Sequence, residues 1–146
     1  MGNSTIYSKI IYSRKLEQEL QVYIDKYPKG KVFLATEETV DQLWVTKLDN
    51  YLENNAIKKV VVPAGENNKK IGSVETIWQF LSENEGDRKS LLINIGGGML
   101  TDLAGFAAST FKRGIDFLNV PTTLLSQVDA SVGGKTGVDL GNLKNQ

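Results

Sequence analysis

Cysteine and histidine are both missing from this chain. Without cysteine it can form no disulfide and no thiolate metal site. Without either residue, a zinc site built from this chain alone would have carboxylates as its only strong ligands, a poor set for that ion. Ser-His-Asp and Cys-His catalysis are excluded for the same reason. Charge of one sign is also lacking: 17 basic and 17 acidic residues cancel to a formal charge of zero. The basic surplus of a nucleic-acid binder is therefore absent. No apolar run approaches the roughly 18 residues of a membrane span, and no charged-then-apolar leader opens the chain, so the expectation is a soluble cytoplasmic protein that partners neither membrane nor nucleic acid. What is present is enough for one domain: 146 residues, 40% of them apolar, support a real core.

Short β-rich runs alternate with helical ones. Strand candidates are IYSKIIY near the start, Lys31–Thr36, Lys58–Pro63, Ser90–Ile95 and Asp116–Pro121. Three- and four-residue spacing predicts helices through Leu16, Leu20, Tyr23, Ile24 and Tyr27, through Val40, Leu43, Trp44, Leu48 and Leu52, and through Val74, Ile77, Trp78 and Leu81. This alternation predicts right-handed crossovers and a mostly parallel sheet. The runs VVV and LLINI do not alternate with polar residues, as expected when both faces of a sheet are covered. In such folds ligands sit beyond the carboxyl ends of the strands. The segments to inspect are thus those opening at Glu37, Ala64, Gly96 and Thr122, which are expected to converge on one edge.

The third of these reads INIGGGMLTDLAGF. Three glycines remove every Cβ, so the amides of Gly96, Gly97 and Gly98 can come close to a phosphate. A helix predicted to begin near Thr101 aims its positive end there. The small face of Ala104, Gly105, Ala107 and Ala108 predicts tight packing on the sheet. Alone, the triple glycine fits a sharp turn without a ligand equally well, and Thr101 stands where a dinucleotide fingerprint would carry its third glycine. In PAGENNKK, Glu66 can accept from ribose hydroxyls and Lys69 can reach a phosphate as a mobile point charge. Glu37, just past a strand, occupies the place where a dinucleotide fold grips the adenosine ribose, although an acid there is commonly only solvated. The GGKT of VPTTLLSQVDASVGGKTGV invites a phosphate-loop reading, which fails because Asp129 stands where its first glycine belongs. Lys135 in that glycine setting is left as a reactive candidate or a solvated loop lysine.

Together these stretches resemble 3-dehydroquinate synthase, the shikimate-pathway member of the sugar phosphate cyclases. The matching stretches are PAGENNK, GGGMLTDLAGFAASTFKRG and VPTTLLSQVDASVGGKTGV, followed by Lys144 and Asn145, and the likeness runs from about residue 31 to the end. The resemblance implies a Rossmann-like, doubly wound α/β fold, residues 1–146 being the NAD-binding amino-terminal domain of a two-domain enzyme. It implies an NAD- and divalent-metal-dependent enzyme, using zinc or cobalt, that converts 3-deoxy-D-arabino-heptulosonate 7-phosphate to 3-dehydroquinate and phosphate. The family's metal ligands, one Glu and two His, lie beyond this motif, so no metal ligand is assigned here and the chain alone is expected to be inactive.

Carried over position by position, the resemblance assigns NAD contacts to Ala64, Gly65, Glu66, Asn67, Asn68 and Lys69. It assigns the same to Gly97 and Gly98, to Met99, Leu100, Thr101 and Asp102, and to Thr122 and Thr123. Glu37 matches the ribose acid. Lys135, Lys144 and Asn145 match the junction of NAD and substrate, Asp129 a substrate-side carboxylate, and Arg113 an arginine reaching a neighbouring subunit's substrate phosphate, which implies a homodimer. Thr101, Glu37 and Leu143 depart from the family pattern, with Thr101 expected to cap its helix. The alternatives are another sugar phosphate cyclase, a metal-dependent alcohol dehydrogenase of the glycerol dehydrogenase kind, or a nucleotide-binding module without chemistry.

Overall fold

A computed structural model describes residues 14–123 and 136–144. Four strands, β1 (Val32–Glu37), β2 (Lys58–Val62), β3 (Leu91–Gly96) and β4 (Asp116–Pro121), form one sheet of order β2-β1-β3-β4, every pair parallel. The expected strands fall within a residue of these bounds; IYSKIIY lies outside the described residues. Among the described residues five α-helices accompany them: α1 (Leu16–Ile24), α2 (Glu38–Leu43), α3 (Asp49–Asn54), α4 (Ile71–Glu83) and α5 (Gly98–Thr110).

Both faces of the sheet are covered, which is why β1 and β3 are buried at every residue. On one face Phe33, Ala35 and Leu92 pack with Val74, Ile77 and Leu81 of α4 and with Leu103, Ala104 and Ala107 of α5. On the other, Leu34, Ile93 and Ile95 pack with Leu20 and Ile24 of α1, Val40 of α2 and Leu52 of α3. The connection from β1 to β2 thus runs over one face, and those from β2 to β3 and β3 to β4 over the opposite one. Chain progress along the sheet reverses between them, as a uniform hand of crossover requires. The expected small face of α5 is buried, and Trp78 Nε1 donates to Ala107 O at 3.1 Å, joining α4 to α5. A Cβ on Gly105 would lie 2.5 Å from Thr136 Cγ2 and 3.3 Å from Phe117 of β4, so glycine here is a packing requirement. No described helix is long and apolar enough to cross a membrane.

The single helix expected between β1 and β2 does not form. The run through Val40 and Leu52 is three pieces: α2, a 3-10 turn at Val45–Leu48, and α3. Trp44, at φ −131° and ψ −49°, breaks it. Leu43 and Trp44 are consequently exposed while Val45 is fully buried. Tyr27 likewise falls beyond the end of α1 and reaches across instead to Asp116 of β4, donating its hydroxyl at 2.7 Å.

Candidate functional site

Because β1 feeds a helix on one face and β3 a helix on the other, their carboxyl ends are left with a crevice between them, the place where such folds receive ligands. A cleft of about 370 Å³ opens there, lined by Glu37, Thr39 and Val40, Ala64 and Gly65, Gly97 to Leu100, and Thr122 and Thr123. All four segments expected to converge do so. The volume lies within the range of roughly 300–1,000 Å³ typical of ligand pockets. A larger cavity of about 520 Å³, between Asp49, Glu53 and Lys58, opens at the amino end of β2, the wrong end of a parallel sheet for this kind of binding.

The glycine turn divides its labour. Gly96 ends β3, and a Cβ on it would lie 2.5 Å from Leu100 Cδ2 and 2.8 Å from Leu100 Cβ, so this glycine serves packing. At Gly97 a Cβ would stand 3.2 Å from Thr123 Cγ2, a tight fit. At Gly98 nothing lies within 4 Å: here the missing side chain leaves the cleft wall open. Helix α5 begins at Gly98, not near Thr101, with Gly97 as its N-cap. Its first turn carries neither a side-chain cap nor an acidic residue. The amides of Gly98, Met99 and Leu100 have no carbonyl one turn back within the helix, and the positive end of the dipole falls on the same spot. That arrangement receives an anion.

Thr101 is not the cap. It is fully buried in the first turn, and its Oγ1 donates backwards toward Gly97 O (3.2 Å) and Gly98 O (3.3 Å). The place of the missing glycine is therefore filled by a hydroxyl satisfied within its own helix. Lys69 is not a mobile charge either. It is 4% exposed, and its Nζ meets Asp102 Oδ2 at 2.7 Å. Neither Lys69 nor Asp102 lines the cleft. Their pair ties the turn after β2 to α5.

Glu37 is the last residue of β1 and is 8% exposed, not a solvated carboxylate. Its two oxygens accept from Thr39 N and Val40 N, both at 2.8 Å, capping α2. An acid ending a strand two residues before a helical threonine is the signal from which this cap could have been read. Neighbouring Glu38 accepts from Ala64 N at 3.3 Å, joining the first two cleft segments. After β2, Gly65 (φ 98°) turns the chain into the 3-10 turn Glu66–Asn68. Asn68 Nδ2 donates to Ala64 O at 2.7 Å, while Glu66 and Asn67 are exposed and do not line the cleft. Thr122 N donates to Gly96 O at 2.9 Å, closing the far wall.

Of the reactive candidates, Asp129, Lys135 and Asn145 lie outside the described residues. Lys144 is described, and its Nζ meets Asp139 Oδ2 at 3.3 Å. Arg113 stands apart. It follows α5, at the amino ends of the strands, and the 13 residues of that helix place it about 20 Å from the cleft of its own chain. Sequence reasoning missed Asp139, because its pairing with Lys144 is made by a chain reversal that no spacing rule shows. It also missed Val40 as a cleft residue.

Known proteins share this architecture and sequence. A family model described as 3-dehydroquinate synthase N-terminal matches residues 59–146. The 3-dehydroquinate synthase of Parabacteroides distasonis is 39% identical over 138 residues, covering 94% of this chain and 39% of that protein. That of Clostridium botulinum is 45% identical over 139 residues, 93% of this chain and 40% of the relative. The chain thus spans about two fifths of the length of the curated relatives it matches. Among solved structures, 2-deoxy-scyllo-inosose synthase superimposes with a TM-score of 0.79 at 25% identity, over 91% of this chain and 38% of that one. The 2-epi-5-epi-valiolone synthase of Streptomyces hygroscopicus, solved with NAD+ and Zn2+ bound, gives 0.78 at 23%, over 96% and 39%. The sheet with its two helical layers is the Rossmann-like fold of the sugar phosphate cyclases, and the chain belongs to the 3-dehydroquinate synthase N-terminal family.

Proposed function

We propose that this chain is the NAD-binding amino-terminal domain of a 3-dehydroquinate synthase, which converts 3-deoxy-D-arabino-heptulosonate 7-phosphate to 3-dehydroquinate and inorganic phosphate. The observation that carries the reading is the cleft at the reversal of strand order, walled by an uncapped, acid-free helix start. The residues there fit a dinucleotide. Gly98 leaves the wall without a side chain, and the free amides of the first turn of α5 supply donors for a diphosphate. Glu37 is fixed by its two amide bonds, and each carboxylate oxygen keeps a second lone pair for a ribose hydroxyl.

NAD, when bound, supplies a temporary hydride acceptor that is restored within each turnover. The chain's own contribution is to hold the diphosphate by main-chain donors, to orient the ribose through Glu37, and to present Lys144 from the segment that follows Asp139. The chemistry itself falls to Lys135, Asp129 and Asn145 by family resemblance. Arg113, at the far end of α5, serves the cleft of a second copy, which makes the working form a homodimer. Among the described residues no three Asp or Glu side chains cluster to hold a metal ion.

The test uses the full-length protein. NAD titrated by fluorescence should bind, and 3-deoxy-D-arabino-heptulosonate 7-phosphate should be consumed with equal release of phosphate and no net NADH. Phosphate release from other sugar phosphates alone would reassign the substrate within the cyclases. Net oxidation of a polyol without phosphate would point to the alcohol dehydrogenases, and NAD binding without turnover to a non-catalytic module.

A further inference from the structure

Segment 136–144 returns to the carboxyl edge of the sheet and is stitched there by main-chain bonds. Gly137 N donates to Asp102 O at 3.2 Å, and Asp139 N to Lys69 O at 2.8 Å. Both acceptors belong to the Lys69–Asp102 ion pair, so the backbone of Asp139 is anchored on the most buried charge pair described at this edge. Asp139 also stands in bridge register with Lys70. From Asp139 the chain reverses through Gly141 (φ 57°) and Asn142, and Leu140 and Leu143 exchange two N–H···O bonds of 2.9 Å. That reversal is what brings Lys144 Nζ back to 3.3 Å from Asp139 Oδ2. The partners are unlike: the Asp139 side chain is 13% exposed and that of Lys144 68%. The carboxylate is the fixed end and the ammonium the reaching end, on a long flexible stem.

We propose that Asp139 is a positioning residue, whose carboxylate holds the Lys144 ammonium at the carboxyl edge of the sheet so that it meets a phosphate-bearing substrate and its coenzyme already ordered. The proposal rests on the reading of Lys144 given above. A pair with one partner so exposed contributes little to folding, so stability does not account for it. Ordering the ammonium beforehand does have a use, because a group held in place loses less freedom when the anion arrives.

The experiment compares Asp139→Asn, Asp139→Glu, Lys144→Met and the double variant Asp139→Asn/Lys144→Met in the full-length protein. It reads melting temperature, NAD affinity, and kcat and KM for phosphate release from 3-deoxy-D-arabino-heptulosonate 7-phosphate. Asp139→Asn should melt as the parent does and lose about tenfold in kcat/KM, since the amide preserves the backbone bond to Lys69 but not the charge. Asp139→Glu should recover part of that loss. Lys144→Met should lose at least as much, and the double variant should be no worse than Lys144→Met. Losses that multiply in the double variant overturn the proposal, as does an unaltered Asp139→Asn beside an impaired Lys144→Met. Full activity in Lys144→Met overturns it too, by removing the role of Lys144 itself. NAD binding retained in that variant would leave the reading of the cleft standing.

Discussion

Alanine at Gly98 and alanine at Gly96 differ in position by two residues, and the structure gives them opposite consequences. At Gly98 a Cβ meets nothing within 4 Å and lies on the cleft wall. The backbone there is helical, so replacing glycine should stabilise the fold by about 0.4–1 kcal/mol through the unfolded state. The same methyl stands where a diphosphate must come closest to the amides. A coenzyme pushed back from them should lose about 10- to 100-fold in affinity, or about 1.4–2.8 kcal/mol. At Gly96 the added Cβ falls 2.5 Å from Leu100 Cδ2 and 2.8 Å from Leu100 Cβ. The first atom can swing away by a rotamer change, but the second is fixed to α5, so the helix start must shift. Overpacking of this kind costs about 1–3 kcal/mol, or roughly 1–4 °C in the melting temperature of a full-length protein of the relatives' size. Both variants of the full-length protein would be melted and titrated with NAD by fluorescence. Gly98→Ala binding as tightly as the parent, or Gly96→Ala melting with it, would refute the division of roles within the turn.

The Lys69–Asp102 pair should respond unequally to its two halves. Asp102→Asn leaves a lysine whose side chain is 5% exposed facing a neutral amide and should cost about 1.5–3 kcal/mol, whereas Lys69→Met leaves a carboxylate 25% exposed that water can reach, at about 1 kcal/mol. Urea denaturation of both variants checks the order, and a reversed order would count against the burial argument. Tyr27 carries a pH signature: burial first, and then the hydrogen bond to Asp116, raise its phenol above the ordinary 10.0. A raised folded value means its contribution is complete below about pH 10 and fades as pH climbs through that raised value. Tyr27→Phe should flatten the alkaline decline of stability and remove one late component from the tyrosinate absorbance titration. An unchanged titration would contradict the pairing.

Much of this was readable in the residues because a sheet covered on both faces leaves a plain mark. Buried β1 and β3 show no alternation of apolar with polar residues, so strand positions and the convergence of their carboxyl ends followed directly. The breaks came where tertiary contact overrode local pattern. Val40 and Leu52 satisfy a helical period, but the short crossover between β1 and β2 turns at Trp44, and the β-branched Val45 is buried in place of Leu43. Lys69 reads as a mobile charge in sequence, since its partner Asp102 comes from a helix 33 residues away. Thr101 looks like a defect in a fingerprint until its hydroxyl is seen turned back onto Gly97 O. Asp139 had no readable signal, because only the reversal at Gly141 brings Lys144 to it.

The two sides of the cleft are rooted in separate sheets of helices: Glu37 to Val40 open α2 in one, Gly97 to Leu100 open α5 in the other. A molecule wedged there acts as a rivet through the whole sandwich. Saturation at a hundred times its dissociation constant adds about 2.7 kcal/mol to the folded state, and that gain is shared by layers on opposite faces of the sheet. Amides should therefore slow their exchange with solvent on both outer surfaces when one small crevice is filled.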